Sequence, residues 1–363
     1  MKQLQGEAES GAGEYPGVYI KNRWYIVAAS SEISRKPLRR VVLDEPLVIY
    51  RGEDGRAIVM DDTCPHRFAP LSEGKLIGDH IQCPYYGIEF APDGKCVRIP
   101  GQSHIAVSMR VNAFKTIERF GWIWTWIGDQ GNVDESLMPD WPFLDDPKWD
   151  AHLYYYHVKA DYLLVVDNLL DLSHVSFTHA DTVGDPKFAE TPPSVEVEGE
   201  TVRNIFRISD TEPAPFFRRI AGMDGRVDRT SVMIFKPPAY IDNIATVLPH
   251  GTTDLARGFQ LRAQVGCVTP ETATTCHYFV SWSRNFAIGK SWVTDAARKN
   301  NDKTVYQDMA MIEAQQRILD KFPNRRQVSM YVDGAQIRAR GIISKIIAQQ
   351  LDHHAKTNQV AAE

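Results

Sequence analysis

The pattern of hydrophobic and polar positions changes near the middle of the chain. Between residues 18 and 127, short apolar runs alternate with turn sequences, and residues 47–50 and 57–60 flank a Gly-Glu-Asp-Gly turn. Short runs separated by such turns are typical of β-hairpins. The tryptophan-rich residues 120–127 predict a further strand. We therefore expect an all-β unit over residues 18–127.

Helical periodicity and longer strand-like segments follow in the second half. One apolar stripe, formed by Val305, Met309, Ile312 and Leu319, predicts a long helix over residues 294–322. A further helix is predicted for residues 161–175, and strands for residues 194–208, 231–241, 258–269 and 277–284. A sheet with helices packed against it gives this half an α+β fold.

The remaining segments set the expected domain boundaries. Residues 128–147 are rich in Asp and Pro and lack periodicity, which predicts a linker. Both ends of the chain are polar, and we expect tails over residues 1–17, disordered, and 352–363. The first domain is thus predicted for residues 18–127 and the second for residues 148–351.

Composition and charge exclude several classes of function. Hydrophobic residues make up 43% of the 363 residues, which suits two packed globular domains. The net charge of −5 and the lack of a basic run argue against nucleic acid as a partner. No apolar run reaches the roughly 18 residues of a membrane span, and the N-terminus lacks the apolar core of a signal peptide. We therefore expect a cytoplasmic protein, in which five cysteines do not form a disulfide framework.

A first group of candidate ligands lies in the all-β unit. Cys64 and His66 are followed, after sixteen intervening residues, by Cys83 and Tyr86. Two loops that each supply one Cys and one His are the pattern of a Rieske [2Fe–2S] cluster, in which the thiolates hold one iron and the imidazoles the other. Three of the four positions fit this pattern. The alternative is that Cys64 and Cys83 are ordinary buried thiols.

The fourth position, Tyr86, departs from the pattern. A phenol must lose a proton with an ordinary pKa of about 10 to bind iron strongly, and the phenolate would lower the potential of the cluster. His80 lies three residues before Cys83, on the wrong side of the loop for a simple replacement. Three interpretations follow: an engineered loss of the cluster, a natural departure in an unusual homologue, or a cluster with a non-standard ligand. We favour the first two over the third.

A second group of candidate ligands contains two histidines. His174 and His179 are five residues apart, which places them on different sides of a straight helix. The helix must therefore end or bend near residues 175–178 if both imidazoles meet one metal. Two His and one carboxylate form the ligand set of non-haem Fe(II) oxygenases. The alternative, a pair of structural histidines, is weakened by the first motif in the same chain.

The third ligand of such a site is expected on the predicted long helix. Asp308 flanks its apolar stripe, and a carboxylate that faces a core is costly unless it is paired or binds a metal. Spacing alone does not separate Asp308 from Asp302 or Glu313. Asp171, three residues before His174, is a candidate hydrogen-bond partner for that imidazole, with a surface carboxylate as the alternative.

Together these motifs resemble the oxygenase components of Rieske non-haem iron oxygenases, in the group of the vanillate and dicamba O-demethylases. The resemblance covers nearly the whole chain from Asn22 onward. It includes Cys-Pro-His-Arg-Phe-Ala-Pro-Leu-Ser from Cys64, Cys-Pro-Tyr-Tyr-Gly from Cys83, and Asp-Asn-Leu-Leu-Asp-Leu-Ser-His ending at His174. It implies an N-terminal all-β Rieske domain and a C-terminal helix-grip (Bet v1-like) catalytic domain.

The resemblance also implies roles for individual residues. It implies a mononuclear Fe(II) with the ligands His174, His179 and Asp308. Asn168 would lie near the iron without being a firm ligand, and Asp171 would bridge a cluster histidine and an iron histidine of neighbouring subunits. His277 matches a position that touches substrate. Three cysteines match no ligand position and are expected to be small buried residues: Cys96, Cys267 and Cys276.

The implied reaction needs several partners. A ferredoxin or flavin reductase would pass electrons from NAD(P)H to the cluster of a homotrimer, and the iron would use O2 to hydroxylate a small aromatic acid or phenol. On a methoxy group this gives a hemiacetal that releases formaldehyde, and ring or methyl hydroxylation is the rival. A chain that binds an aromatic ligand without turnover is the alternative raised by Tyr86. Arg218 and Arg219 are candidates for pairing with a substrate carboxylate, with solvated surface arginines as the alternative.

Overall fold

The computed structural model describes the backbone of residues 17–362 and the side chains of residues 17–353 and 355. Within these residues the chain forms two compact units. One comprises Lys21–Asp140 with Thr269–Thr272, and the other contains Trp141–Val268 and the remaining C-terminal part. The division after Asp140 falls within the segment predicted as a linker. Residues 1–16 of the predicted N-terminal tail lie outside the described residues.

The first unit consists of short strands. Their bounds are β1 Arg23–Ala29, β2 Leu38–Val42, β3 Glu45–Arg51, β4 Ala57–Asp61, β5 Lys75–Ile77, β6 His80–Gln82, β7 Glu89–Phe90, β8 Cys96–Arg98, β9 Thr116–Arg119 and β10 Trp122–Ile127. In the described part of this unit they form three antiparallel sheets, ordered β1-β10-β9, β2-β3-β4 and β5-β6-β7-β8. The expected β3–β4 hairpin is present, with Leu47 opposite Asp61 and Arg51 opposite Ala57.

Tryptophans explain why this small unit is well packed. All six residues of β10 are buried, and the Trp24 and Trp126 rings meet edge-on with centroids 5.6 Å apart. The Trp24 indole donates a hydrogen bond to the Asp134 carbonyl, and the Trp126 indole donates one to the Asp129 carbonyl. The first part of the predicted linker is therefore fixed against the unit rather than free, because buried indole N–H groups need acceptors.

The second unit combines a sheet with helices. Its strands are β11 Asp150–Val158, β12 Ser194–Glu198, β13 Thr201–Thr211, β14 Val227–Lys236, β15 Tyr240–Pro249, β16 Phe259–Thr272 and β17 Thr275–Arg284. Its helices are α1 Tyr162–Leu170, α2 Val175–Thr178, α3 Lys187–Glu190, α4 Pro215–Ala221, α5 Ser291–Lys321 and α6 Gly334–Ala362. The strands form one sheet of the described chain, ordered β11-β17-β16-β15-β14-β13-β12. The predicted α+β class is confirmed.

The long helix α5 lies against one face of this sheet. The Tyr156 hydroxyl on β11 donates to Asp302 of α5, and Gln264 on β16 donates to Asn301. Side chains alternate between the two faces of a strand. The even-numbered residues of β17, such as Tyr278, therefore share this face, while the odd-numbered residues point to the other.

Several element boundaries differ from the prediction. Residues 194–208 form a turn at Gly199 with φ +58°, so that β12 and β13 replace one predicted strand. Residues 231–241 are likewise split, because Pro237 and Pro238 cannot donate to a sheet ladder. The helix α6 was not predicted, and its backbone continues through Ala362 across the expected C-terminal tail. No helix within residues 17–362 is long and apolar enough to cross a bilayer.

Candidate functional site

A break after the helix α1 brings His174 and His179 together. The helix ends at Leu170, and Asp171 has an extended backbone with φ −115° and ψ 137°. The next helical turn, α2, lies between His174 at its N-terminal end and His179 at its C-terminal end. The predicted helix therefore ends earlier than expected. The two imidazole rings lie 5.3 Å apart, edge to face.

Asp308 completes a group of three metal-binding side chains. Its Oδ1 atom lies 2.9 Å from His179 Nε2 and 3.4 Å from His174 Nε2. All three ligand atoms lie within 4.8 Å of one another. Two imidazole nitrogens and one carboxylate oxygen at these separations are the donor set of a non-haem Fe(II) site, with positions left for other ligands.

The two carboxylates that competed with Asp308 have other partners. Asp302 accepts a hydrogen bond of 2.6 Å from the Tyr156 hydroxyl, and Glu313 accepts one of 3.1 Å from the Lys159 backbone N–H. Both therefore hold α5 against the sheet. Among the described residues, Asp308 is the α5 carboxylate that reaches the histidine pair.

The outer nitrogens of both imidazoles face further acceptors. His179 Nδ1 lies 2.9 Å from Gln307 Oε1, which fits a tautomer with the proton on Nδ1 and a free lone pair on Nε2. His174 Nδ1 lies 3.9 Å from Asp171 Oδ2, a distance for an ion pair rather than a hydrogen bond. Ser173 fixes that carboxylate through its N–H and its hydroxyl. Such contacts orient the ligands of a metal.

The charges in the group are strongly coupled. Burial raises the pKa of Asp308, but His174 and His179 outweigh this effect and lower it below the ordinary value. Burial lowers the pKa of His174, but Asp171 and Asp308 raise it to about 9. Asn168 donates to Asp308 Oδ1 at 3.3 Å. Two carboxylates, Asp171 and Asp308, thus face the imidazoles where a cation would be bound.

A cavity lies beside the three side chains and shares them as part of its wall. Most of its surface is apolar, from Leu172, Val183, Phe216, Phe217, Leu261 and Trp282. A few polar residues interrupt this surface: Arg229, Asn243, Gln264, Asn301 and Thr304. An apolar cavity with a small number of polar groups suits a small ring-containing ligand whose orientation is fixed by those groups.

One polar part of the wall is held by a hydrogen-bond chain. Tyr278 Oη donates to Gln264 Oε1 at 2.5 Å, and Gln264 Nε2 donates to Asn301 Oδ1 at 2.8 Å. Asn301 Nδ2 in turn donates to Tyr156 Oη at 3.0 Å. The chain satisfies these buried groups and fixes the wall. The Thr304 hydroxyl, one turn before Asp308, is buried and has no partner among the described residues.

Arg229 is the cation of the cavity wall. It is only 8% exposed, and its guanidinium donates hydrogen bonds to two neutral groups, Ser231 Oγ and the Val183 carbonyl. Its guanidinium also lies over the rings of Phe188 and Phe217, 4.6 and 5.0 Å from their centroids. Burial lowers the pKa of Arg229 to about 10 and the Asp185 carboxylate opposes this effect, so the side chain stays charged at neutral pH.

The first unit contains two matching loops that begin at Cys64 and Cys83. In each, the cysteine N–H donates to the carbonyl five residues later, at 3.0 Å for Cys64 and 2.8 Å for Cys83. In each, the N–H four residues later donates to the cysteine carbonyl, from Phe68 and Gly87. Both of these residues have a left-handed backbone, with φ +57° and +67°. The two loops therefore have the same backbone design.

The thiols of these loops are suited to bind metal. Cys64 and Cys83 are 1% and 2% exposed and form no disulfide. Burial raises the pKa of the Cys64 thiol to about 11; the backbone N–H groups of His66 and Arg67 oppose this effect, and the nearby Cys83 thiol adds to it. N–H groups aimed at a sulfur stabilise its thiolate form. These N–H groups thus offset part of the cost of forming a thiolate at Cys64.

Tyr86 lies next to His66 at the tip of the loops. The two rings meet edge to face with centroids 4.5 Å apart, and the neighbouring Tyr85 ring is 4.4 Å from Tyr86. Tyr86 raises the pKa of the Tyr85 phenol, which places the two hydroxyl groups near each other. Tyr86 is 48% exposed. Its side chain therefore packs among rings at the surface.

Comparison with known proteins agrees with both units. Residues 23–115 match the model of the Rieske [2Fe-2S] domain, and residues 158–349 match that of the vanillate O-demethylase oxygenase C-terminal domain. A vanillate O-demethylase oxygenase subunit from a Pseudomonas species is 33% identical over 92% of this chain and 96% of its own length. The chain belongs to the Rieske oxygenases of the vanillate and dicamba O-demethylase group. It is thus an oxygenase component of this family.

Two further relatives support the same assignment of this Rieske oxygenase. The toluene-4-sulfonate monooxygenase iron-sulfur subunit of Comamonas testosteroni is 31% identical over 91% of this chain and 97% of its own length. The crystal structure of dicamba monooxygenase bound to 3,6-dichlorosalicylic acid has a TM-score of 0.86 at 32% identity. The matched region covers 92% of this chain and 99% of the dicamba monooxygenase chain.

The residues of this Rieske oxygenase suit the mononuclear iron of the family better than its [2Fe–2S] cluster. The donor set of His174, His179 and Asp308 fits a mononuclear iron, because the ligand atoms converge on one point of the cavity wall. The loop pair fits a [2Fe–2S] cluster at both thiols and at His66. It does not fit at Tyr86, where a neutral phenol stands in place of the second imidazole.

The structure does not bring His277 into the cavity of this Rieske oxygenase. Odd-numbered residues of β17 face away from α5, and His277 Nδ1 lies 2.9 Å from the Tyr155 hydroxyl on that opposite face. The expectation of substrate contact therefore has no support in this geometry. Arg218 and Arg219 are exposed beside a separate groove, in line with solvated surface arginines.

Two residues of the site were not predicted from the sequence. Gln307 and Arg229 belong to no motif, although an arginine at an inward position of an alternating strand, as in β14, is a detectable signal.

Among the cysteines without a ligand role, Cys267 and Cys276 are buried as expected, but Cys96 is only half-buried. The difference arises because Cys96 lies on the short strand β8 of a four-stranded sheet at its edge.

Proposed function

We propose that this Rieske oxygenase binds a small aromatic acid in the cavity beside His174, His179 and Asp308, and that a chain with a complete set of cluster ligands oxygenates it there. The preferred reaction is O-demethylation of a methoxy-substituted acid. The observation that carries the proposal is that the metal-binding group and a buried, cationic Arg229 line the same apolar cavity. A ligand with an aromatic ring and one anionic group meets both requirements.

Arg229 is suited to bind the anionic group. Its guanidinium is held by Ser231, Val183 and two phenylalanine rings, so little rotational freedom remains to be lost on binding. A planar guanidinium can form two parallel hydrogen bonds with a carboxylate. The carboxylate in turn would add to the compensation that the nearby Asp185 carboxylate gives this buried cation.

Apolar and polar wall residues are suited to orient the ring. Phe216, Phe217 and Trp282 offer aromatic surfaces, which pack favourably on a ligand ring. The unpartnered Thr304 hydroxyl offers a hydrogen bond to a hydroxyl or ether oxygen of the substrate. The named ligands of the relatives fit this class, since vanillate, toluene-4-sulfonate and 3,6-dichlorosalicylic acid are aromatic acids or their anions.

The ligand residues would hold Fe(II), which supplies the activation of O2. In the complete reaction one oxygen atom enters a C–H bond and the other leaves as water, with electrons from an NAD(P)H-dependent reductase. A hydroxylated methoxy group then releases formaldehyde and leaves a phenol. Within the site, Gln307 and Asp171 orient the imidazoles, and the apolar wall excludes water. A homotrimer and the bridging role of Asp171 remain part of the proposal.

Ligand binding tests the substrate class without the need for electrons. The wild-type chain is titrated with 3-methoxybenzoate and with the neutral 3-methoxybenzamide by calorimetry. We expect the acid to bind at least tenfold more tightly, and Arg229→Met to remove this preference while the surface variant Arg219→Met keeps it. Equal affinities for acid and amide in the wild-type chain would contradict the proposal.

Product analysis separates the two reaction types. The chain and its Tyr86→His variant are incubated with reductase, NADH and 3-methoxybenzoate, and formaldehyde is measured. Formaldehyde with 3-hydroxybenzoate is the expected outcome for the variant with a complete ligand set. A ring-hydroxylated acid without formaldehyde would instead support the rival reaction.

A further inference from the structure

The backbone for a complete Rieske cluster is present in this chain. The loops at Cys64 and Cys83 repeat the same two hydrogen bonds and the same left-handed residue. The backbone of Gly87 also lies close to Pro100, since a Cβ added to Gly87 would lie 3.3 Å from Pro100 Cγ. Nothing in the backbone of the second loop therefore accounts for the loss of a ligand at position 86.

The side chain of Tyr86 differs from an imidazole in reach and in chemistry. Its oxygen lies at the far end of the ring, farther from the backbone than either nitrogen of a histidine would. A phenol offers an oxygen instead of a nitrogen, and phenols bind iron strongly only after the loss of their proton. The ring instead packs edge-on against His66 and beside Tyr85, with about half of its surface exposed.

No simple replacement for the missing nitrogen is placed in the loop. His80 is the first residue of β6 and pairs with Ile77. His80 lies three positions before Cys83 on an extended strand, a distance of about 10 Å along the chain. The hairpin pairing of β5 and β6 holds His80 at that end of the strand.

We propose that this chain does not hold a [2Fe–2S] cluster, and that the side chain of Tyr86 is the sole cause. Cys64, His66, Cys83 and the loop backbone remain competent to bind one. The chain would then keep its mononuclear centre and its aromatic cavity but lack the internal electron carrier of its family. This inference does not depend on which substrate the cavity binds.

The test compares cluster content in matched variants. Wild-type chain, Tyr86→His, Tyr86→Phe and the neighbouring control Tyr85→His are purified without oxygen and reconstituted identically with iron and sulfide. Iron and acid-labile sulfide are counted per chain, and the dithionite-reduced samples are examined by EPR. Thermal melts and far-UV circular dichroism identify any variant that fails to fold.

We expect a cluster only in Tyr86→His. That variant should contain about three irons and about two sulfides per chain, with a Rieske-type EPR signal. The other three proteins should contain about one iron and no labile sulfide. The control variant Tyr85→His adds a histidine one residue away from position 86. It therefore shows whether the cluster needs a histidine at position 86 or only an additional imidazole nearby.

Three results would overturn the proposal. Stoichiometric sulfide in the wild-type chain would show that Tyr86 is compatible with a cluster, and its loss in Tyr86→Phe would then assign the phenol as a ligand. A folded Tyr86→His protein without sulfide would show that the rest of the loop pair is not competent. A cluster in Tyr85→His would show that position 86 is not decisive.

Discussion

The metal site in the cavity, formed by His174, His179 and Asp308, is called the cavity centre here, and the two loops that begin at Cys64 and Cys83 are called the loop pair. The two differ in how complete their sets of ligands are. In the cavity, the ligand atoms of both imidazoles and the carboxylate lie close together, and Gln307 orients the His179 ring from its outer side. In the loop pair, the backbone geometry is repeated in both loops, but one of the four side chains does not suit iron. A scaffold for a metal group can thus persist in full while one side chain removes the chemistry for which it was shaped.

The two centres also differ in how their residues come together. The loop pair is local, because each loop brings its candidate ligands within three residues of a cysteine. The cavity centre joins His179 to Asp308, 129 positions apart along the chain. A single substitution is therefore visible in the sequence of the loop pair, whereas the completeness of the cavity centre is visible only once the chain is folded.

The largest expected effect comes from removal of the carboxylate. Asp308→Ala should weaken Fe(II) binding at the cavity centre by more than about 100-fold, because two imidazoles remain without the charged ligand. Metal titration under nitrogen measures the change. Glu313→Ala, on the same helix, is the control and should bind iron as the wild-type chain does. Equal iron affinity in Asp308→Ala would remove Asp308 from the ligand set.

A smaller effect is expected from the group that orients His179. Gln307→Leu removes the acceptor at His179 Nδ1 and should weaken iron binding by roughly tenfold, the lower end expected for such a partner. The exposed Gln315→Leu on the same helix serves as the control. If both variants keep wild-type affinity, Gln307 does not position the imidazole.

The affinity for an anionic ligand should depend on the planar shape of the Arg229 guanidinium as well as on its charge. Arg229→Lys keeps a cation in the cavity but loses the planar fork, so 3-methoxybenzoate should bind about threefold to tenfold more weakly. Calorimetry against Arg219→Lys measures the difference. Wild-type affinity in Arg229→Lys would indicate that only charge, and not a two-point contact, is recognised.

The smallest effect concerns the hydrogen-bond chain of the cavity wall. Tyr278→Phe leaves Gln264 Oε1 without its donor and should lower the free energy of unfolding by about 1 kcal/mol. The exposed Tyr306→Phe provides the reference. The midpoint of denaturant unfolding measures both variants, and iron content should not change. A drop in iron content for Tyr278→Phe would show that the wall and the metal centre are coupled.

Much of the architecture follows from local patterns. Turn residues and the tryptophan-rich strand β10 predict the all-β unit, and the apolar stripe through Val305 and Ile312 predicts α5. The end of α1 at Leu170 was not predictable in this way. It depends on the extended Asp171, whose carboxylate is held by Ser173, and apolar residues continue on both sides of that break.

The candidate site was predictable only where spacing or a motif points to it. His174 and His179 stand out by residue type, but the choice of Asp308 over Asp302 depends on which face of α5 meets the sheet. Arg229 and His277 show the limit most clearly. Which face of a strand borders the cavity is decided by sheet register, and that register is set by contacts between distant segments.

The most direct test of the account is the count of iron and acid-labile sulfide in the reconstituted wild-type chain. An intact cavity centre together with an incomplete loop pair predicts about one iron per chain and no labile sulfide. About three irons and two sulfides would contradict this account, because both centres would then be complete with Tyr86 in place.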